Sequence, residues 1–380
     1  MSRPALERDE PVGRRVARWR VRRRMTQQML ADRLGKSKSW VDKVERGVRR
    51  LDRYPVVREI AEVLRVDPAV LLEPGQPSPV VAKGLDGVDG VRGALAHYHQ
   101  RPARAVAADE VRRHIAHAWL TYEHAHYAQL LRALPALLDA AHATPALLVP
   151  AYRVTAGVLV KLDEPDLAWL AADRAVAAAG DPVHAGAATV SVAQALRALG
   201  RDRLALTAAV AAAGTAADVR VRGTLLLQAA MAAAGCGDHR CAGDLLDHAA
   251  ALADRRMGSD DPHHTAFGPV VVLLARFLAA LRLGDTDLAL RHHRTAVRRD
   301  DWSLLPAERR AAHLVDAARA HLDSGDVAGA GRALADAHVI APGEIRCRPA
   351  ARTLIAEIAH RGPAAAGVAR LADLIGLSRA

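Results

Sequence analysis

At 380 residues the chain is too long for one ordinary domain, and 51% hydrophobic with 25% charged residues is a globular rather than a disordered composition. Aromatics are only 3%, so Ala, Leu and Val must build the core, which suits closely spaced helices and argues against a sheet protein. The net charge of +11 is uneven: residues 1–79 hold 19 Lys/Arg against 11 Asp/Glu, a net of +8, and the rest holds 34 against 31, a net of +3, so a polyanionic partner is expected at the N-terminal fifth.

No charged-then-apolar leader and no apolar run of 18 residues is present, so secretion and membrane spanning are not expected and the cytoplasm is the default. Cys236, Cys241 and Cys347 have no metal or redox spacing and read as small buried or semi-buried residues. Five lysines stand beside 48 arginines, the usage of a high-GC genome such as an actinobacterial one, and Lys36, Lys38 and Lys43 fall within eight residues.

After an N-terminal tail (1–11), residues 12–72 read as five short helices. The first runs from Val12 to about Arg24 and is dense in arginine. Thr26 is placed to cap a helix over Gln27–Leu34, whose buried stripe is Leu30, Ala31 and Leu34. Gly35 supplies the left-handed residue of a tight turn, Ser37 caps Lys38–Arg46, and Gly47 stops it. A fourth helix carries Ile60, Ala61 and Leu64, and Asp67-Pro68 opens a fifth ending near Leu72. Helix, glycine turn and helix, with Ala31 small enough for close approach, is the helix-turn-helix pattern.

The string TQQMLADRLGKSKSWVDKVERGVRR…IAEVLRVDPAVLL resembles the Cro/phage-repressor (XRE) family of DNA-binding domains, over residues 12–73. The resemblance implies that Lys38–Arg46 is the recognition helix of the major groove. It places Lys38, Ser39, Asp42 and Lys43 toward base edges, with Ser37 at the helix start and Trp40 at a flanking position. It implies phosphate contacts for Gln27, Arg46, Arg50 and Arg53, and an internal salt bridge between Arg20 and Glu45. Asp42 puts a negative charge on that face, where it either accepts from a cytosine amino group or repels mismatched sites.

Residues 74–91 are rich in Pro and Gly and read as a linker. From 92 to 380 the chain is helix after helix with a repeat. Glu123/Ala128, Asp163/Ala168, Gly200/Ala205, Gly237/Ala242, Gly284/Ala289 and Gly325/Ala330 share a turn residue followed five positions later by Ala, at spacings of 40, 37, 37, 47 and 41. A second Ala follows seven positions on in five of the six: Ala175, Ala212, Ala249, Ala296 and Ala337. Alanines seven apart share a helix face and let a neighbouring helix approach.

Segments such as LGDTDLALRHHRTAV resemble a tetratricopeptide array, though the spacing exceeds the usual 34 and the aromatic signature is mostly absent. AFGPVVV…RLGDTDLAL…LPAERRAAHLVDAARAHLDSGD is similar to the C-terminal half of actinobacterial XRE regulators with tetratricopeptide-like tails. Many of those read Phe-Gly-Pro-Thr-Asn-Val where this chain has Phe267-Gly268-Pro269-Val270-Val271-Val272. The fold expected is therefore all-α, a helix-turn-helix domain followed by an α-solenoid. Stacked helix pairs leave a concave groove lined mainly by the first helix of each unit, with Tyr152, Arg153, Gln194, Arg197, Gln228 and Arg276 as candidate ligand contacts.

Eighteen histidines form only near pairs, none with a carboxylate at metal-site offset, and the best metal candidate is Arg255–Thr265 with Asp260, Asp261, His263 and His264. No phosphate loop or nucleophile–base spacing stands out, so neither an enzyme nor a metal or other cofactor is expected. The expected function is a dimeric, sequence-specific regulator that binds double-stranded DNA. A peptide, small molecule or protein in the helical groove would set its DNA affinity, by analogy with the peptide-sensing regulators of Gram-positive bacteria. The alternative is an interaction scaffold whose array recruits a protein partner to DNA.

Overall fold

The computed structural model describes residues 12–23, 25–49, 51, 54–64, 79–97, 106–254, 260–360 and 371. The described residues contain no strand, and the chain divides into two compact units between Ala82 and Lys83. The all-α expectation holds. No described helix is long and apolar enough to cross a membrane.

The N-terminal unit contains α1 (Val12–Arg22), α2 (Gln27–Arg33), α3 (Lys38–Glu45) and α4 (Tyr54–Leu64). The Thr26 hydroxyl accepts from the Met29 amide and the Ser37 hydroxyl from the Trp40 amide, both at 3.1 Å, so each helix starts on its own cap. Gly35 turns between them at φ +61°. Leu30, Ala31, Leu34, Val41, Val57, Ile60, Ala61 and Leu64 close over Val16 as one core. The fifth helix expected at Asp67–Leu72 lies outside the described residues.

Helix α5 (Pro79–Ala96) occupies part of the segment read as a linker, despite Gly84 and Gly87. Glycine costs about 1 kcal/mol against alanine in a helix. Burial of Val88, Val91 and Leu95 on one face offsets that cost, and Gly87 lets Leu131 approach where a Cβ would not fit.

The second unit then stacks six helix pairs. First helices are α6 (Ala108–Glu123), α8 (Leu148–Lys161), α10 (Pro182–Ala198), α12 (Val219–Gly235), α14 (Pro269–Arg282) and α16 (Ala307–Asp323). Their second helices are α7 (Tyr127–Ala141), α9 (Pro165–Ala177), α11 (Asp202–Thr215), α13 (His239–Ala253), α15 (Thr286–Val297) and α17 (Val327–Ile340). Two further helices, α18 (Pro342–Arg346) and α19 (Pro349–His360), follow.

Asp163, Gly200, Gly237, Gly284 and Gly325 all take positive φ at the turn inside a pair. Asp238, Asp285 and Asp326, each next after its glycine, then cap the second helix. Nine of the repeat alanines are buried, from Ala168 to Ala337, and Ala212 is half-buried. The first pair departs from the expected register. Its left-handed turn residue is Ala125 rather than Glu123, and five positions on stands buried Leu130 instead of half-buried Ala128. No glycine marks that turn, so the sequence offered no anchor for it.

The array does not stay open. One apolar core joins α5 to α10 with α16 to α19, bringing the first and last pairs together. At this seam Lys161 pairs with Glu308 and with Glu344 (3.2 Å), and Arg348 pairs with Asp316 (3.2 Å) and Glu344 (3.4 Å). Gly343 runs so close to the Ala125 carbonyl that no side chain fits there. Burial opposes the charge on Lys161, but Glu308 and Glu344 outweigh it and raise its pKa. Burial likewise opposes ionisation of Glu344, yet Lys161 and Arg348 hold its carboxyl below the ordinary range.

Candidate nucleic-acid interface and ligand cavity

The exposed face of α3 is built from its two ends inward. Ser37 fixes the start, Val41 and Val44 bury one side, and Lys38, Ser39 and Lys43 remain exposed on the other. Glu45, 7% exposed, anchors the far end: its carboxylate accepts from Arg20 Nε at 2.6 Å and Nη2 at 2.9 Å, and from the Gln27 amide at 2.9 Å. Arg20 also donates to the Met25 carbonyl at 2.8 Å, and its hydrogen bond to Glu45 raises its pKa. The Arg20–Glu45 pair thus ties α1, α2 and α3 together.

Several expected contacts have intramolecular partners. Gln27 is bound to Glu45, and Ser37 acts as a cap. Asp42 pairs with Arg46 one turn on, at 2.5 Å, which partly neutralises its charge. Trp40 is half-buried against the core, with the Arg49 guanidinium 5.9 Å over its ring. Arg49 was not singled out in the sequence; as an exposed cation just beyond α3 it adds to the Lys36, Lys38 and Lys43 cluster. Arg50 and Arg53 lie outside the described residues.

In the second unit the concave face holds a half-open cavity of about 360 Å³. Every first helix contributes to its wall and no second helix does: Tyr122 from α6, Lys161 from α8, Arg197 from α10, Gln228 from α12, Leu274 from α14 and Arg309 from α16 are examples, with Arg348 joining from beyond α18. Among the expected contacts, Gln194, Arg197 and Gln228 line it.

Tyr152, Arg153 and Arg276 do not. Tyr152 is buried with its hydroxyl 3.2 Å from His142, and Arg153 donates to the His263 carbonyl at 2.9 Å while stacking over Trp119. Arg276 turns to Asp247, 2.6 Å away. Val271, in the Val-Val pair singled out after Pro269, lies in the cavity wall.

Lys161, Glu308, Arg309, His313, Asp316 and Arg348 are wall residues that the sequence reading missed. One signal was available: Lys161 is the single lysine after Lys83.

The segment weighed as a metal candidate is used for packing. Asp261 accepts from the Thr265 hydroxyl and the Ala266 amide, and His264 stacks on Trp119 at 4.4 Å while bonding Glu123 at 2.9 Å. Phe267 then inserts against Gly223, where no Cβ fits. Among the described residues no group of three or more His, Cys, Asp or Glu is placed to hold a metal ion. Cys236 is exposed, against expectation, because it sits at the C-terminal end of α12 beside a solvent-facing turn.

Comparison with known proteins gives a match over residues 11–73 to a family model described as a helix-turn-helix domain. No curated protein matches the chain. Among solved structures, the crystal structure of Bacillus thuringiensis PlcR in complex with the peptide PapR7 and DNA aligns with 11% identity and a TM-score of 0.38, over 87% of this chain and 95% of that one.

Proposed function

We propose that the chain is a sequence-specific, non-enzymatic transcription regulator of the cytoplasm, with residues 12–73 as the DNA-binding domain, 74–82 as the link and 83–380 as the sensing domain. The observation that carries this reading is α3: a helix capped at Ser37 and clamped at Glu45, presenting Lys38, Ser39 and Lys43 to solvent within a domain-wide helix-turn-helix match. Exposed lysines there suit guanine O6 and N7, and the neighbouring arginines suit phosphates. One such module reads few bases, so a homodimer spanning two half-sites one helical turn apart is the working form. A ligand in the cavity of the second unit would set DNA affinity by favouring one arrangement of the dimer.

The test is selection of genomic DNA fragments at about 150 mM salt, where non-specific phosphate binding is weak. Wild type should enrich an inverted repeat and the Lys38→Ala/Lys43→Ala variant should not. Equal recovery by both proteins would remove α3 from base recognition. Lys43→Ala alone should cost about 1–3 kcal/mol at one position of that site and relax its sequence preference.

A further inference from the structure

The cavity wall carries Lys161, Arg197, Arg309 and Arg348 against the two acids Glu308 and Asp316. Both acids are engaged at the seam, Glu308 by Lys161 and Asp316 by Arg348. Two guanidiniums are left without a carboxylate at ion-pair distance among the described residues. Arg309 donates to the Thr265 carbonyl at 3.1 Å. Arg197 donates through Nη1 to the amide oxygen of Gln228 at 2.8 Å, and its Nε is buried with no hydrogen-bond partner.

A guanidinium offers five N–H donors in a planar fork that matches a carboxylate. Burial, with Arg282 adding repulsion, outweighs the more distant Asp202 and Asp316 and draws the Arg197 pKa down to about 10, which still leaves it charged at neutral pH. A half-buried charge with no carboxylate at ion-pair distance is unfavourable, and an incoming anion relieves that. Gln228 holds Nη1 and so orients the fork.

Apart from Thr224 and Gln228, the wall supplied by α12 and α14 has the opposite character: Leu227, Met231, Val271, Leu274, Ala275 and Leu278 are apolar. The volume of about 360 Å³ lies at the low end of the range for small-molecule sites and suits a compact body rather than an extended chain.

We propose that the cavity binds a small amphipathic organic carboxylate, its carboxylate paired with Arg197 and its apolar body against α12 and α14. The proposal rests on the reading of the second unit as a sensing domain and names the class of ligand it senses. Arg309 is the second cation available to the same anion.

Calorimetric titration of the full chain, without DNA, tests it with octanoate, phenylacetate and indole-3-acetate, each beside its primary amide. At least one acid should bind, about 10- to 100-fold more tightly than its amide, as a charge-assisted hydrogen-bonded pair requires. Arg197→Gln should erase that preference. Leu274→Trp, which fills the cavity, should remove acid and amide binding alike. Equal binding of acids and amides, absence of binding by all six, or an acid preference that survives Arg197→Gln would overturn the proposal. Should Arg197→Gln fail to fold, the wild-type comparison of acid with amide decides. Because no DNA is present, failure here leaves the DNA-binding reading untouched, and failure of operator selection leaves this titration unaffected.

Discussion

Tyr127 donates a hydrogen bond to Glu344, 217 positions further along the chain, in the interior of the helical unit. The bond belongs to the seam in which Lys161, Glu308 and Arg348 also take part. In an open solenoid each repeat touches only its neighbours. Here Tyr127 of the first pair and Lys161 of the second meet Glu308 of the last pair and Glu344 beyond it, and that is what turns a groove into a cavity.

Lys161→Met should therefore be costly. It leaves buried Glu308 without its cation and buried Glu344 with Arg348 alone. Removing one partner of a buried ion pair destabilises by about 3–5 kcal/mol. Urea unfolding of the full chain checks this, and a loss below about 1 kcal/mol would show that water reaches the seam.

Glu45→Gln acts on the other unit. It weakens both Arg20 contacts and turns the acceptor of Gln27 into a neutral amide. With the pair part-buried, a loss of roughly 2–4 kcal/mol is expected. Faster hydrogen exchange at the α3 amides, with no change across α6 to α17, is the signature to look for.

Gly223→Ala should destabilise by about 1–3 kcal/mol, because the new methyl collides with the Phe267 ring. Adding Phe267→Leu should recover part of that loss. A melting temperature unaltered by Gly223→Ala would mean that the 260–268 segment shifts at little cost.

Acid should weaken the protein through His313 and His293, which face each other at 2.9 Å between Nε2 and Nδ1. Burial first, and then His293, push His313 down to about 3; burial, His321 and Arg294 push His293 down to about 4. Phe277 and Trp302 complete the surroundings of His313. Both histidines fold in the neutral form, so nothing is lost above the ordinary histidine pKa near 6.5. Below it the unfolded chain takes up protons that the folded one refuses, and stability falls until the folded pKa is reached. His313 alone accounts for roughly 2 kcal/mol by pH 5. His313→Gln should flatten melting temperature against pH between 6.5 and 5; an unchanged slope would assign the acid loss to other groups.

The helix-turn-helix was legible because its determinants are local. Thr26, Ala31, Gly35 and Ser37 sit within a dozen residues, and each acts on its own turn of helix. The repeat was legible where glycine marks the left-handed turn and slipped by two positions where Ala125 takes that role. Groove residues were harder. Gln194 and Arg197 are three apart and share the inward face of α10, whereas Arg276 lies between Leu274 and Leu278 yet turns outward to Asp247. Polarity alone does not say which side of a helix faces in when both sides meet other helices. The seam was not legible at all, since partners such as Lys161 and Glu308 sit far apart in sequence and carry no shared motif.

The contact of Gly343 with Ala125 makes the helical unit a ring. A ring has no terminus from which to fray. A stack with two free faces can shed its last repeat and keep the others folded; deleting α17 to α19 here would strip cover from α6 and α7 at the opposite end of the chain. Trimming from the C-terminus should therefore show a threshold: a limited loss when buried Leu371 goes, and a ruinous one once Arg348 and Glu344 are removed.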